Sequence, residues 1–391
     1  MSATPVLISA WARSAVVPVD GAFRALHAHD IAAPVVHALL KRAGVPASTV
    51  DALVMGNALG AGGNPARMAA LAAGLPEHCP AFTIDSQCCS GLDAVCTAAN
   101  MIASGQAQVV IAGGAEAWSR APIRQHRPLH ANESAIAYER PPFAPDPARD
   151  PDLLHAAALY AHQHQHSRAQ QNTYAQQSHA RALQHQAALQ SHIVPIAGIT
   201  YDAYPRDMAD HKLHRIPLAA SIENNSSDTD CGVSQLAVSV KADGAAFVLL
   251  MSESACQQFG CKPNAQWLAH TSLGCAPDMP LLAAQVAAQA ALKRAAWPTA
   301  HTLQAVELHD AFAVQGISFN HALSLTPDVS NTYGGGLARG HPIGASGAVA
   351  LVQLLTRLGL STHSEPTGMV AIAAAGGLGL SLIHISEPTR H

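Results

Sequence analysis

Charge is scarce in this chain: only 12% of its 391 residues are Asp, Glu, Lys or Arg, and 22 Lys+Arg against 26 Asp+Glu leave a formal charge of -4. No dense Lys/Arg stripe is present to neutralise a phosphate backbone, which argues against nucleic acid as a partner. Paired C-x-x-C spacing is missing too. The eight cysteines (79, 88, 89, 96, 231, 256, 261 and 275) sit in a chain too large to need disulfide staples, so they read as thiols of a reducing cytoplasm. The longest apolar run, Met369 to Ile383, is broken by glycines and falls short of the roughly 18 residues of a membrane span. The N-terminal MSATPVLISAWAR has neither a basic lead nor a small-residue cleavage site, so it reads as a first strand rather than a signal peptide.

What the chain does have is apolar mass. At 40.5 kDa and 49% hydrophobic, it suits two packed units of ordinary domain size with room for an insertion. Short apolar runs (Val6 to Ser9, Ala52 to Met55, Val109 to Ala112) alternate with Ala/Leu-rich helical stretches (Ile31 to Ala43, Pro65 to Ala73, Gly91 to Ser104). That βαβα rhythm predicts an α/β fold with a buried parallel sheet. A second series starts near Ala245 with AAFVLLM, WLAHTSL, a helix from Met279 to Ala296, AVELHDAF, a helix after Gly344, and MVAIAAAGG, as if one plan were used twice. Between them, roughly Ser119 to Asp243, the composition turns to Pro, His, Gln and Arg, with Leu153 to Ser191 reading as a polar helix. Its HQHQH (His162, His164, His166) could ligate a metal on a strand; on a helix the three point apart, so a solvated helix face is the favoured reading and no metal is expected.

AFTID runs into SQCCSG and then an Ala-rich helix, placing a cysteine at a strand-to-helix turn where the helix N-terminus favours a thiolate. Taken alone, Cys88 and Cys89 read equally well as small buried residues. ELHDAFA adds His309 at a strand end, and GGGLARGHPIGASGA adds His341 in a glycine-rich loop. A cysteine with histidines from distant segments can activate a thiolate and hold a thioester oxygen.

Together these segments resemble the thiolase family (acetyl-CoA acyltransferases). KRAGV, MGNALGAGGNPARMAALAAGLP, QCCSGLDAV, AGGAEAWSRAP, SHARA, IVP, KADGAAFVLLMSE, ELHDAFA and GGGLARGHPIGASGA occur in family order over nearly the whole chain. The resemblance implies two βαβαβαββ halves in a layered α/β/α/β/α arrangement. Its expected boundaries are an N-terminal half at 1–118, a loop domain covering the CoA site at 119–245, a return to the N-terminal half at 246–264, and a C-terminal half at 265–379. It makes Cys88 the acyl-accepting nucleophile, His341 its base, and the backbone N–H groups of Cys88 and Ala375 an oxyanion site; Cys89 is then structural. Ser239 matches a serine near the pantetheine, although the segment before it reads SQLA where the family has T-A-G-N. Coenzyme A thioesters are the implied substrates, with no tightly bound cofactor, in acetyl-CoA, 3-ketoacyl-CoA or fatty acid metabolism. A homodimer or homotetramer is implied too.

Two departures qualify this. HDAF stands where most of the family has N-E-A-F, so His309 replaces an asparagine, a variant resembling sterol-carrier-type thiolases; an imidazole N–H can still donate to a carbonyl oxygen. The C-terminal C-x-G-G-G-x-G reads AAAGGLG, so Ala373 replaces the second catalytic cysteine and cannot move a proton. Thiolysis or condensation is therefore expected to be impaired while acyl transfer to Cys88 survives. The set Cys88, His309, His341 also admits two alternatives: a decarboxylative, ketosynthase-like condensing enzyme, which needs no base at 373, and a degenerate acyl-CoA-binding subunit. Finally, LSLIHISEPTR (Leu380 to Arg390) resembles a translated sequencing adapter, so residues 380–391 are set apart as a non-native tail.

Overall fold

The computed structural model describes residues 5–222, 230–297 and 299–386. In the N-terminal half the main strands are β1 (Val6–Ser14), β2 (Ala52–Gly56), β3 (Ala81–Ile84), β4 (Val109–Ala117) and β5 (Ala242–Ser252). The C-terminal half has β6 (Ala265–Gly274), β7 (Ala305–Leu308), β8 (Thr367–Ala374) and β9 (Leu378–Ser386). Across the sheet the order is β7-β8-β9-β6-β1-β5-β4-β2-β3. The halves thus run outward from a shared seam in matching order, and the seam is thin: β1 meets β6 only at Leu7↔Gln266 and Ile8↔Ala265. Where the N-terminal half ends in β3, the C-terminal half has a bridge from Val306 to Ser330.

The helices are α1 (Ala28–Ala43), α2 (Pro65–Ala72), α3 (Ser90–Ala103), α4 (Leu153–Gln163), α5 (Arg168–Gln184), α6 (Ala283–Arg294), α7 (Ala313–Ala322) and α8 (Ser346–Gly359). α3 and α8 pack on each other between the half-sheets, while α1 and α2 cover the outer face of one half and α6 that of the other. This gives the α/β/α/β/α layering. α8 is buried on every side from Ser346 to Leu358, as its SGAVALVQLLTRLG sequence requires. Its few polar groups are all satisfied: Arg357 pairs with Glu307, Gln353 Nε2 donates to Glu307 Oε2 at 2.9 Å, and Thr356 accepts from Trp11 Nε1 at 3.2 Å. Losing one partner of such a buried ion pair costs about 3–5 kcal/mol.

The expected parallel sheet is corrected to a mixed one. β2/β3, β2/β4 and β7/β8 are parallel, but β1, β5, β6 and β9 pair antiparallel with their neighbours among these strands. The cause is connection length: β8 returns as β9 through a turn in which Gly376 and Gly377 take φ 76° and 80°, too short for a crossover. Residues 380–386, set apart above as adapter-like, lie in β9 and pair with β6 and β8; residues 387–391 fall outside those described.

The polar helix expected over Leu153 to Ser191 is broken at the histidines. Ser167 and Gln170 form a reciprocal capping box that starts α5 afresh, with Gln170 N donating to Ser167 Oγ at 3.2 Å and Ser167 N donating to Gln170 Oε1 at 3.0 Å. His164 and His166 therefore sit in a turn, their rings 4.2 and 6.0 Å from that of Tyr160, rather than on a solvated helix face. Among the described residues no group of three His, Cys, Asp or Glu is placed to hold a metal ion.

Candidate active site

The chain leaves β3 through Asp85 and Ser86 and turns at Gln87, a non-glycine residue at φ 57°. The Asp85 carboxylate accepts from Gln87 N at 2.9 Å and helps hold this costly geometry. Cys88 follows, two residues before α3, with its side chain half-buried; Cys89 points into the core, 1% exposed. Cys89 Sγ lies 3.9 Å from the Ile372 carbonyl, and burial pushes its thiol well up.

Cys88 Sγ is 3.1 Å from His341 Nε2. The other imidazole nitrogen, Nδ1, is 2.7 Å from Ser346 Oγ at the start of α8. For Nε2 to accept the thiol proton, Nδ1 must carry the ring hydrogen and donate it to Ser346. Backbone contacts fix the loop: His341 N donates to Val240 O at 2.7 Å, and Trp118 Nε1 donates to His341 O at 3.0 Å. Burial pushes the Cys88 thiol up to about 12, with the Ala375 and Cys88 backbone N–H groups pulling the other way. It pulls His341 down to about 4. Both shifts favour a neutral thiol beside a neutral imidazole.

His309 leaves β7 with its amide bonded to Ala371 O at 3.0 Å and its ring stacked on His341, centroids 4.4 Å apart. Burial, then His341 and Arg339, hold it well below the usual imidazole range. Its Nε2 is buried without a hydrogen-bond partner, the condition of a donor awaiting an oxygen. Gly336 permits this approach, since a Cβ there would lie 2.7 Å from the His309 ring. Cys88, His341, His309 and the Ala375 N–H therefore converge. Ala373 lies half-buried on β8, paired with Gly379, and offers only a methyl group. The added Cβ of Ala375 is accommodated, because positive φ falls on Gly376 and Gly377 instead.

Ser239 makes no hydrogen bond to Cys88, His341 or His309 among those of the described residues. Its Oγ donates to Gly336 O at 2.6 Å, and it lines a cavity of about 880 Å³ floored by Leu154, Met208, Ile216 and Phe312. Arg206, Lys212 and Lys241 also line it, against the single carboxylate of Asp207, so its balance is cationic over an apolar floor. Sequence reading passed over these cations: Lys241 opens the KADGAA segment without being singled out, and Arg206 and Lys212 come from a stretch with no motif. It also passed over Asp310, which accepts from Tyr174 Oη at 3.0 Å and Leu337 N at 3.3 Å behind His309. Glu116 went unread as well, although an acidic residue inside the apolar VVIAGGAEA was its signal.

Comparison with known proteins bears on the family and the fold. Residues 6–254 match the thiolase N-terminal domain and residues 261–386 the thiolase C-terminal domain. The chain belongs to the thiolase family. It is 33% identical to an acetyl-CoA acetyltransferase of Shinella zoogloeoides, over 97% of this chain and 98% of that one. Identity to an acetyl-CoA acetyltransferase of Rhizobium meliloti is also 33%, over 98% and 99%. Among solved structures, a Bacillus anthracis acetyl-CoA acetyltransferase superposes with TM-score 0.89 at 28% identity, over 98% of this chain and 99% of that one. A thiolase of Ascaris suum in complex with coenzyme A gives 0.87 at 25%, over 98% and 100%. As a thiolase-family member the chain is an acyltransferase-type enzyme.

Proposed function

We propose that this enzyme forms an acyl-S-cysteine intermediate at Cys88 from a coenzyme A thioester. His341 Nε2 takes the Sγ proton as sulfur bonds to the carbonyl carbon, the C–S bond to coenzyme A breaks, and the proton passes to the departing thiolate. The oxyanion meets the His309 Nε2 side and the Cys88 and Ala375 N–H groups. The observation that carries this reading is the 3.1 Å approach of Cys88 Sγ to His341 Nε2. The cavity beside Ser239 suits coenzyme A, with an apolar floor for pantetheine and cations for phosphates. Thiolysis and condensation are slowed because Ala373 provides no second proton acceptor. The setting is acetyl-CoA, 3-ketoacyl-CoA or fatty acid metabolism in the cytoplasm. A homodimer or homotetramer is part of the proposal, favoured by the sheet edge at β3, where Phe82 is exposed near Met68 and Leu71.

Intact-protein mass spectrometry after incubation with acetyl-CoA and acetoacetyl-CoA tests this. An acetyl adduct is expected that vanishes in Cys88→Ala. If a folded protein takes no adduct from any acyl-CoA while thioesters raise its melting temperature, the degenerate acyl-CoA-binding subunit replaces this reading.

A second reading is favoured by the unpartnered His309 Nε2 stacked beside His341. With one imidazole against the sulfur and a second stacked on the first, decarboxylation of a malonyl-type thioester would supply the carbanion without a base at 373. The acyl-loaded enzyme would then release CO₂ from malonyl-CoA and give nothing with a second acetyl-CoA.

A further inference from the structure

The catalytic pair is built from two halves of the molecule, Cys88 from one and His341 from the other, and one buried carboxylate spans the join. Glu116, at the end of β4, is 1% exposed. Its Oε2 accepts from Gly344 N at 3.0 Å, three residues after His341, and from Ala58 N at 2.9 Å, just past β2. Its Oε1 accepts from Asn57 Nδ2 at 2.7 Å, and the Leu59 amide adds a further donor. On the far side, the Gly344 carbonyl sits where a Cβ on Gly56, Gly91 or Gly114 would meet it at 2.6, 2.8 or 2.0 Å. Three glycines of the N-terminal half thus make room for one peptide of the C-terminal half, and Glu116 fastens it there. Two residues on, Trp118 holds the His341 carbonyl at 3.0 Å, so one short segment grips both ends of the His341–Gly344 loop.

We infer that Glu116 is a positioning residue, whose carboxylate ties the His341–Gly344 loop to the end of β2 and so keeps His341 Nε2 in register with Cys88 Sγ. Four N–H donors converge on two oxygens, which only a carboxylate satisfies; an amide in its place turns an N–H₂ toward one of them. Burial pushes the Glu116 carboxyl up to about 7, the backbone donors oppose this, and the titratable groups facing it are Asp85 and Cys88. The inference rests on the Cys88–His341 reading, yet the two fail separately, because Cys88 can be alkylated with no thioester present.

The test uses the full chain as wild type, Glu116→Gln, His341→Ala and the double variant. Iodoacetamide alkylation of Cys88 is followed by peptide mass spectrometry across pH, beside each melting temperature. Glu116→Gln is expected to slow Cys88 alkylation near neutral pH by about 10- to 10²-fold, the scale of an ångström-sized misplacement, and to move the profile to higher pH, toward that of His341→Ala. In the His341→Ala background it should change the rate less than about twofold, because a residue acting through His341 has nothing left to position. Equal slowing in both backgrounds overturns the inference, as does a lowered melting temperature with an unmoved profile. Should Glu116→Gln not fold, Asn57→Ala, which removes one of the clamp's donors, is read by the same cycle; an unmoved profile there overturns the inference equally.

Discussion

In the N-terminal half the chain leaves β3 through Gln87 at φ 57° and arrives at a thiol; in the C-terminal half it leaves β8 just past Ala373 and arrives at two glycines of positive φ. The two turns leave different places in the doubled sheet: β3 is the outermost strand of its half, whereas β8 is third from the seam, where the first half has β4. The contributions of the halves differ in kind. The first half supplies the Cys88 thiol and the buried Glu116 carboxylate, while the second supplies both imidazoles, His309 after β7 and His341 before α8. A duplicated scaffold thus fixes where side chains meet without fixing which chemistry they bring.

The comparison breaks most visibly at Ala373. Ala373→Cys is expected to raise condensation between two acetyl-CoA molecules, read as acetoacetyl-CoA formed, by about 10²- to 10⁴-fold, the usual worth of a positioned acid/base. No gain in a variant that still acylates Cys88 would mean that the second half lacks more than a sulfur. The next effect is at His309, where His309→Ala should slow Cys88 acylation by about 10²- to 10³-fold, as loss of an oxyanion donor does, and His309→Asn should recover to within about tenfold. Equal rates in His309→Ala and wild type would leave the unpartnered Nε2 without a role in acylation.

The smallest effect concerns stability and falls on β9. His384 is wholly buried against the edge of Trp267, and neither ring nitrogen has a partner in hydrogen-bond geometry. Burial holds it down to about 3, only weakly opposed by the Gln266 backbone. A group held below its unfolded value of 6.5 binds fewer protons folded than unfolded, so its contribution to stability is present above 6.5 and is lost as pH falls toward 3. His384→Leu should stabilise the fold by about 1–3 kcal/mol near neutral pH through removal of unsatisfied polar atoms, and should flatten the acid side of the stability profile. Denaturant titrations near pH 7 and pH 5 check both. An unchanged midpoint would mean that the imidazole is solvated or paired after all.

Several of these features were legible in the residues. The alternation of apolar runs and Ala-rich stretches marked strands at 6–9, 52–55 and 109–112, which the structure extends to residues 14, 56 and 117, and the helices after them, because burial on both faces leaves a continuous apolar run. The strand directions were not legible, since β1 and β5 read as apolar whether their neighbours run with or against them. The HQHQH segment was misread for a similar reason: Ser167 and Gln170 restart the helix there, a capping signal that composition hides. Cys88, His309 and His341 stood out by residue type and neighbouring glycines. Glu116, Trp118 and Ser346 did not, because each acts on a loop more than a hundred residues away or on a ring whose tautomer only its partner fixes.

What the sequence by itself determined is the inventory: one cysteine at a strand-to-helix turn, two imidazoles, no second sulfur at 373, and enough apolar pattern for a doubled α/β core. What only the tertiary structure decided is which of these act together. The 3.1 Å between Cys88 and His341 spans 253 residues and depends on three glycines, one carboxylate and two helices packed back to back. Periodicity is a property of neighbours along the chain, whereas a catalytic distance is set by how the halves close on one another, and that closure is a matter of packing.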